Sequence, residues 1–236
     1  IGNKMFKYAI EASVIIVGIL LSFYIEEVRT VNKNIEIKNE LLGDLNRALE
    51  RDLDQINEIQ KMLNDSMQRI SDLRNDINNN HDQLSDVDTV KKILNANVST
   101  TFFSEDGVFT ELVSSGSYEL IRNKELKNKL LEIYNHQKER NMSISDDIDL
   151  LQNEFFLKFS QEFRVAINYN AYDGVFYGTT GVDSFKFDRD YYMSDDFYGY
   201  LTALQLNGYF YGRLLADIKA AYEATLLLSK EEITIK

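Results

Sequence analysis

Residues 41–77 read LLGDLNRALERDLDQINEIQKMLNDSMQRISDLRNDI, and this stretch decides the fold. Leucine or isoleucine recurs at every seventh position, and the same register extends back to Val14 without a slip. A repeat sustained over so many turns predicts a long helix packed against other helices. The predicted helix-packing seam consists of Val14, Leu21, Val28, Ile35, Leu42, Leu49, Ile56, Leu63, Ile70 and Ile77.

The companion positions, three residues after each seam position, are less regular. Lys38, Asp52 and Ser66 occupy three of them, and in two cases a Leu or Met one residue later supplies the apolar contact. A mixed stripe of this kind suits a globular bundle about as well as a two-stranded coil. Two alternatives therefore stay open: the seam packs on later helices of the same chain, or it packs between chains.

Residues 8–25, YAIEASVIIVGILLSFYI, predict a transmembrane helix. Eighteen helical residues cover about 27 Å, close to the thickness of a bilayer's hydrocarbon core. Aromatic residues lie near both ends, and two lysines precede the span, which favours a cytoplasmic N-terminus. A cleaved signal peptide is the main rival, but no small-x-small cleavage site follows the apolar run.

The composition excludes several classes of protein. The 236 residues contain no cysteine and two histidines, which excludes disulfides and thiolate metal sites and argues against a multi-histidine metal site. The net charge of −12 argues against nucleic acid as a partner, because phosphate binding needs a basic face. No nucleotide-binding or hydrolase motif occurs, so neither catalysis nor a cofactor is predicted.

The second half of the chain is expected to be helical up to about residue 168. A short helix is predicted at about 85–96. Another begins near Val108 and ends at Ser114-Ser115-Gly116, where glycine favours a stop. Asn123 is the predicted cap of a helix that starts at Lys124 and continues to about residue 168.

Three segments together resemble a large group of bacterial single-pass membrane proteins known only as a domain of unknown function. They are residues 11–27, residues 41–56 and residues 109–135. Members carry a glutamate that opens a membrane helix, and Gly18-Ile19-Leu20 matches the helix pattern. The chain departs from the group where serine replaces the usual alanine, and it lacks tryptophan. The resemblance implies a membrane anchor followed by a helical domain, and no activity.

Glu11 is a candidate functional carboxylate, because acidic residues inside membranes are costly and often functional. Such a residue would suit an accessory subunit of an ion-driven membrane complex. The alternative places Glu11 at headgroup depth, paired with Lys7 one turn earlier.

The segment 169–196 is rich in tyrosine, glycine and aspartate and is expected to be irregular. Its aspartates lack calcium-loop spacing and predict a solvated acidic loop rather than a metal site. Its aromatic residues, together with those that open a final helix at about 195–229, could form a ligand platform or close the end of a bundle. The platform residues would be Tyr191, Tyr192, Tyr198 and Tyr200. His81 and His136 are expected to face solvent.

The sequence therefore predicts an all-α fold. A short cytoplasmic segment (1–7) precedes the transmembrane helix (8–25), which continues into a long coiled-coil-like stalk (26–80). An elongated extramembrane helical bundle (81–236) follows. The predicted function is that of a non-catalytic structural or interaction protein of the bacterial inner membrane, with its bulk in the periplasm. The predicted partners are the lipid bilayer and further copies of the chain or another membrane protein. The alternatives are the accessory subunit that uses Glu11 and a ligand-binding ectodomain.

Overall fold

The computed structural model describes the backbone of residues 2–174 and 178–234, with side chains except those of 2–10, 12 and 234. The chain is mostly helical, and a small two-stranded sheet interrupts the helices. The elements are α1 (Gly2–Asn78), α2 (Asp86–Leu94), α3 (Gly107–Ser114), a 3₁₀ turn (Ser117–Leu120), α4 (Lys124–Leu131), a π turn (Glu132–Gln137), α5 (Lys138–Glu162), β1 (Ala166–Asn170), β2 (Thr179–Ser184), α6 (Arg189–Tyr192) and α7 (Asp195–Thr234).

The bundle is built around α1 and α7, which run antiparallel. Lys38 of α1 contacts Glu232 at one end of the pair, and Arg74 contacts Tyr198 at the other. Gly208 of α7 lies against the side chain of Met67 on α1, which would have to move to make room for a Cβ at position 208. The unit formed by α4, the π turn and α5 packs against α7, while the segment from α2 to the 3₁₀ turn lies along α1.

The predicted seam divides into two parts. Every seam residue from Leu42 to Ile77 is buried, against other elements of the same chain. Val14, Leu21 and Val28 are between 41 and 66 % exposed. From about residue 38 onward, the stretch predicted as a stalk forms one wall of the bundle, which is the first of the two alternatives for the seam.

The predicted transmembrane helix lies within α1, which runs without a break from Gly2 into the bundle. Within the described residues, no helix is both long and apolar enough to cross a membrane. The predicted span, 8–25, includes residues 8–10 and 12, whose side chains lie outside the described part.

Two local predictions about helix ends are confirmed. The side chain of Asn123 accepts hydrogen bonds from the backbone N–H groups of Glu125 and Leu126, which caps α4. The helix α3 ends at Ser114 and is followed by Gly116 with φ of 77°, a left-handed conformation that favours glycine.

The all-α prediction, with an irregular segment at 169–196, missed two strands and placed the end of the preceding helix too late. The helix expected to continue to about residue 168 ends at Glu162, and Arg164 adopts φ of 43°. An antiparallel hairpin follows, in which β1 pairs with β2. β1 is exposed throughout, and β2 is half-buried only in its middle. Ile167-Asn168-Tyr169-Asn170 of β1 alternates apolar and polar residues, a short signal for a strand, whereas β2 carries no such alternation.

Candidate functional site

Three polar side chains of α1 point into the bundle, and all three occupy companion positions of the seven-residue repeat. Lys38, Asp52 and Ser66 are each at most 3 % exposed. A polar group in such a place is costly unless it is paired, and each has a partner from another part of the chain. Lys38 binds Glu232 of α7 at 3.0 Å, and Ser66 reaches the carbonyl of Asn95 at 3.5 Å.

Asp52 accepts the backbone N–H of Glu105, at 3.1 and 3.2 Å from its two carboxylate oxygens. Burial raises the pKa of Asp52 to about 7, although this hydrogen bond acts to lower it. The charge of Glu105 also acts to raise the pKa. Arg51, the preceding residue of α1, binds the Glu105 carboxylate instead and lowers the pKa of Asp52 only weakly. Asp52 is therefore a buried carboxyl group that changes charge near neutral pH.

A cavity of about 140 Å³ lies next to this region, between α7, the π turn and residues 102–104. Phe102, Ile133 and Ile218 supply much of its apolar wall. Tyr222 and Gln137 also line it, and both are buried. Among the described residues, the Gln137 carbonyl oxygen has no hydrogen-bond partner, and the Tyr222 hydroxyl has none within 3.5 Å. Asp52 and Ser104 lie near the Tyr222 hydroxyl and affect its pKa.

The π turn determines which side chains reach the cavity. A π turn widens the helix by one residue, and such turns are frequent at functional sites. Ile133 and Gln137 both belong to this turn and both line the cavity. The cavity wall is thus built partly by the local distortion of the helix between α4 and α5.

A closed set of hydrogen bonds fixes the opposite wall. The Tyr211 hydroxyl accepts the backbone N–H of Phe102 at 2.7 Å and donates to the side-chain oxygen of Asn141 at 3.1 Å. The amide nitrogen of Asn141 donates in turn to the Phe102 carbonyl at 2.7 Å. These bonds hold residue 102 between α5 and α7, so the cavity has a defined shape.

A model of a family of unknown function, DUF6090, matches residues 11–155. The chain belongs to DUF6090. The match contains the exposed part of α1, Asp52 and the π turn, and it ends within α5. The hairpin and α7 lie beyond the DUF6090 match, so Tyr222 and Glu232 are contributed from outside it. No curated protein and no solved structure matches the chain.

The prediction that His81 faces solvent is wrong. His81 is 7 % exposed, and its ring stacks on Phe187. Its Nδ1 lies 2.6 Å from Asp76 and its Nε2 lies 2.9 Å from Asp86. Both ring nitrogens face carboxylates, so both carry a proton in the favoured state. Burial lowers the pKa of His81, but the hydrogen bonds to Asp86 and Asp76 outweigh it and hold the pKa above its ordinary value.

Asp76 is the centre of this second polar cluster, at the end of α1. Besides His81, it accepts the Tyr192 hydroxyl at 2.8 Å and the backbone N–H groups of Gln83 and Leu84, each at 2.9 Å. Burial acts to raise the pKa of Asp76, but these hydrogen bonds hold it below its ordinary value. With every acceptor position occupied, the cluster closes the turn between α1 and α2.

The four tyrosines predicted as a ligand platform do not share an exposed face. Tyr192 is fully buried, and its hydroxyl binds Asp76. Tyr191 packs on Phe163 and Phe197, and Tyr200 lies near Phe155. The Tyr198 hydroxyl accepts a hydrogen bond from Arg74. These side chains close the end of the bundle, the alternative that the sequence left open.

The other predicted functional residue, Glu11, lies on an exposed part of α1. It opens a run in which every large apolar side chain from Val14 to Ile25 is at least half exposed. We call residues 14–25 the apolar stretch. Successive residues point in directions about 100° apart, so the stretch is apolar and exposed on every side of the helix.

Proposed function

We propose that the chain is a membrane-anchored, non-catalytic structural or interaction protein whose α1 crosses the bilayer at residues 8–25. The observation that carries the proposal is the exposure of the apolar stretch on all sides of the helix. A helix that is apolar all round needs an apolar environment all round, and a groove on a partner protein would cover only one face. A bilayer supplies that environment.

The position of the bundle supports the same proposal. The apolar stretch precedes Lys38, where α1 enters the bundle and binds Glu232. The residues between them include Glu26, Glu27, Arg29 and Lys33, which are polar and exposed. A polar segment of this kind would hold the bundle a short distance from the membrane surface. The lysines before the span favour a cytoplasmic N-terminus and a bundle in the bacterial periplasm.

The anchor is tested by membrane fractionation of the tagged full-length chain. We expect the wild type to stay in the membrane pellet through alkaline carbonate extraction. Ile16→Arg places a charge near the centre of the span, which costs about 2.5–3.5 kcal/mol on insertion scales, and should shift the chain toward the soluble fraction. Leu157→Arg is the matched control, because Leu157 is 64 % exposed on the bundle and Ile16 is 56 % exposed.

If carbonate releases the wild type and both variants from the membrane pellet to the same extent, the proposed membrane anchor is wrong. Loss of membrane association by Leu157→Arg as well would point to general misfolding rather than to the span.

A second proposal is that the chain is an accessory subunit of a larger membrane complex that uses Glu11. The position of Glu11, three residues before the apolar stretch, favours this second proposal. Native mass spectrometry after gentle extraction separates the proposals. Multiples of the 27.4 kDa chain support a self-associating protein, and a stoichiometric second protein supports the subunit. A Glu11→Gln variant that assembles and works normally would exclude Glu11 as an ion carrier.

A further inference from the structure

The cavity beside the π turn has the dimensions of a small-molecule site. Its volume of about 140 Å³ is close to that of an engineered protein cavity of about 150 Å³ that binds benzene. Phe102, Phe103 and Tyr222 place aromatic rings on its wall. Phe102 and Tyr222 meet edge to face, with ring centroids 5.6 Å apart. A single aromatic ring therefore fits both the size and the lining.

Two polar atoms give the cavity a chemical preference. The Gln137 carbonyl oxygen can only accept a hydrogen bond, so it requires a donor on the ligand. The Tyr222 hydroxyl can donate and accept, and a ligand hydroxyl can satisfy both residues at once. Tyr222 is 1 % exposed and Gln137 is 8 % exposed. The Gln137 carbonyl oxygen has no partner in the part of the chain that the structure describes. The Tyr222 hydroxyl has none within 3.5 Å there, and Asp52 and Ser104 lie close enough to interact with it more weakly. Buried polar groups without partners are rare in native proteins.

The charges around the cavity argue against an anionic ligand. Lys138 also lines it, but its ammonium group is bound by Asp106. Asp52 lies close enough to Tyr222 that its charge raises the pKa of that phenol in addition to the effect of burial. An anion in the cavity would meet this carboxyl group, and the described residues that line the cavity offer no cation except the paired Lys138.

We propose that the cavity binds a neutral, single-ring aromatic molecule that carries a hydroxyl or N–H donor, the class to which phenol and indole belong. The ring fills the apolar space between Phe102 and Ile218. The donor binds the carbonyl oxygen of Gln137, and the Tyr222 hydroxyl donates to the ligand oxygen where the ligand is a phenol. Entry is from the side of Phe103 and Met142, which are 70 and 56 % exposed.

The test uses fluorine NMR on the full-length chain in nanodiscs, with empty nanodiscs subtracted. The probes are 4-fluorophenol, 4-fluorotoluene and 4-fluorobenzoate. We expect 4-fluorophenol to bind roughly 5- to 30-fold more tightly than 4-fluorotoluene, the ratio for one or two hydrogen bonds of about 1 kcal/mol each. We expect no binding of 4-fluorobenzoate at the same concentrations. Failure of 4-fluorophenol to bind, or equal binding of all three probes, would overturn the proposal.

Two hydroxyl deletions provide a matched comparison. Tyr222→Phe should weaken 4-fluorophenol binding about 5-fold and leave 4-fluorotoluene binding unchanged. Tyr134→Phe also removes a buried hydroxyl that has no partner among the described residues, but Tyr134 does not line the cavity. It should leave both affinities unchanged. An equal effect of the two variants would contradict the assigned site.

Blocking the cavity completes the test. Ile218→Phe should abolish binding of both neutral probes by occupying the space. Met142→Trp narrows the exposed mouth instead and leaves the bundle core intact, so it serves if Ile218→Phe fails to fold. Binding that survives in a folded blocking variant would place the ligand elsewhere and overturn the proposal.

Discussion

Asp52→Asn tests whether a buried carboxyl group limits the stability of the bundle at neutral pH. Burial raises the pKa of Asp52 from an ordinary value of 3.8 to about 7. Between these values the unfolded chain has released the proton and the folded chain has kept it, so the free energy of unfolding falls as pH rises. Below pH 3.8 the carboxyl group is protonated in both the folded and the unfolded chain, so it no longer lowers the free energy of unfolding. Asparagine cannot ionise, so the variant should lack this part of the pH dependence.

The size of the effect follows from the two pKa values. Each pH unit between them corresponds to 1.36 kcal/mol, and the full interval to about 4 kcal/mol. Over the accessible range from pH 5 to pH 8, the wild type should lose about 2–3 kcal/mol relative to Asp52→Asn. At pH 5 the two proteins should differ less, because asparagine keeps an oxygen that accepts the Glu105 N–H.

The assay is urea unfolding of the full-length chain in nonionic detergent, followed by circular dichroism at 222 nm between pH 5 and pH 8. Asp54→Asn is the control, because Asp54 lies on the same helix and is exposed. It should reproduce the wild-type pH dependence. Parallel pH profiles for the wild type and Asp52→Asn, or a variant that is less stable at pH 8, would refute the reasoning.

Three further predictions concern buried contacts elsewhere in the bundle. Lys38→Met removes the cation from its buried partner Glu232, which keeps the backbone N–H groups of Arg122 and Asn123, so the cost in urea unfolding should lie at the lower end of the range for a broken buried pair, about 3 kcal/mol. Lys230→Met, at an exposed ion pair, should cost no more than about 1 kcal/mol. Similar costs would contradict the burial assigned to the first pair. The raised pKa of His81 means that its stabilisation is complete below the ordinary pKa of 6.5 and is lost as pH rises through the folded-state value. In the Asp52→Asn background, His81→Gln should remove this loss of stability. An unchanged pH profile would contradict the role assigned to His81. Gly208→Ala displaces the flexible Met67 side chain rather than the backbone of α1, so it should be less stabilising than Gly43→Ala, which has open space around it and should raise stability by up to about 1 kcal/mol. Equal gains in melting temperature would contradict the contact with Met67.

The long helices follow from the sequence because their signals are local. The seven-residue repeat predicts α1 through the bundle, and Asn123 and Gly116 mark helix ends by side-chain chemistry and backbone freedom. The hairpin strands give only a weak signal, since the alternation in β1 covers four residues and β2, half-buried only in its middle, carries none. Periodicity reports burial on one face only, so a strand without a buried face resembles a loop.

The buried polar side chains of α1 were harder to predict than the helices. Lys38, Asp52 and Ser66 interrupt the apolar stripe and read as surface residues or weak contacts. Their regular spacing along the inward face was the available signal that they are buried. Their partners lie 29 to 194 residues away, and nothing in the sequence pairs a lysine with one glutamate among many. The π turn that shapes the cavity is likewise set by tertiary packing.

The ion pair between Lys38 and Glu232 also constrains the order of events during synthesis. The two residues are 194 positions apart, and at about 5–20 residues per second a ribosome needs about 10–40 s to cover that distance. During the middle of this interval, from the end of α1 at Asn78 to the start of α7 at Asp195, the apolar face of α1 is complete and α7, the helix it contacts most, has not been made. The nascent chain therefore presents a row of leucine and isoleucine side chains to its surroundings before the bundle can close. Its yield in the cell should depend on a chaperone that shields this face until translation passes residue 232.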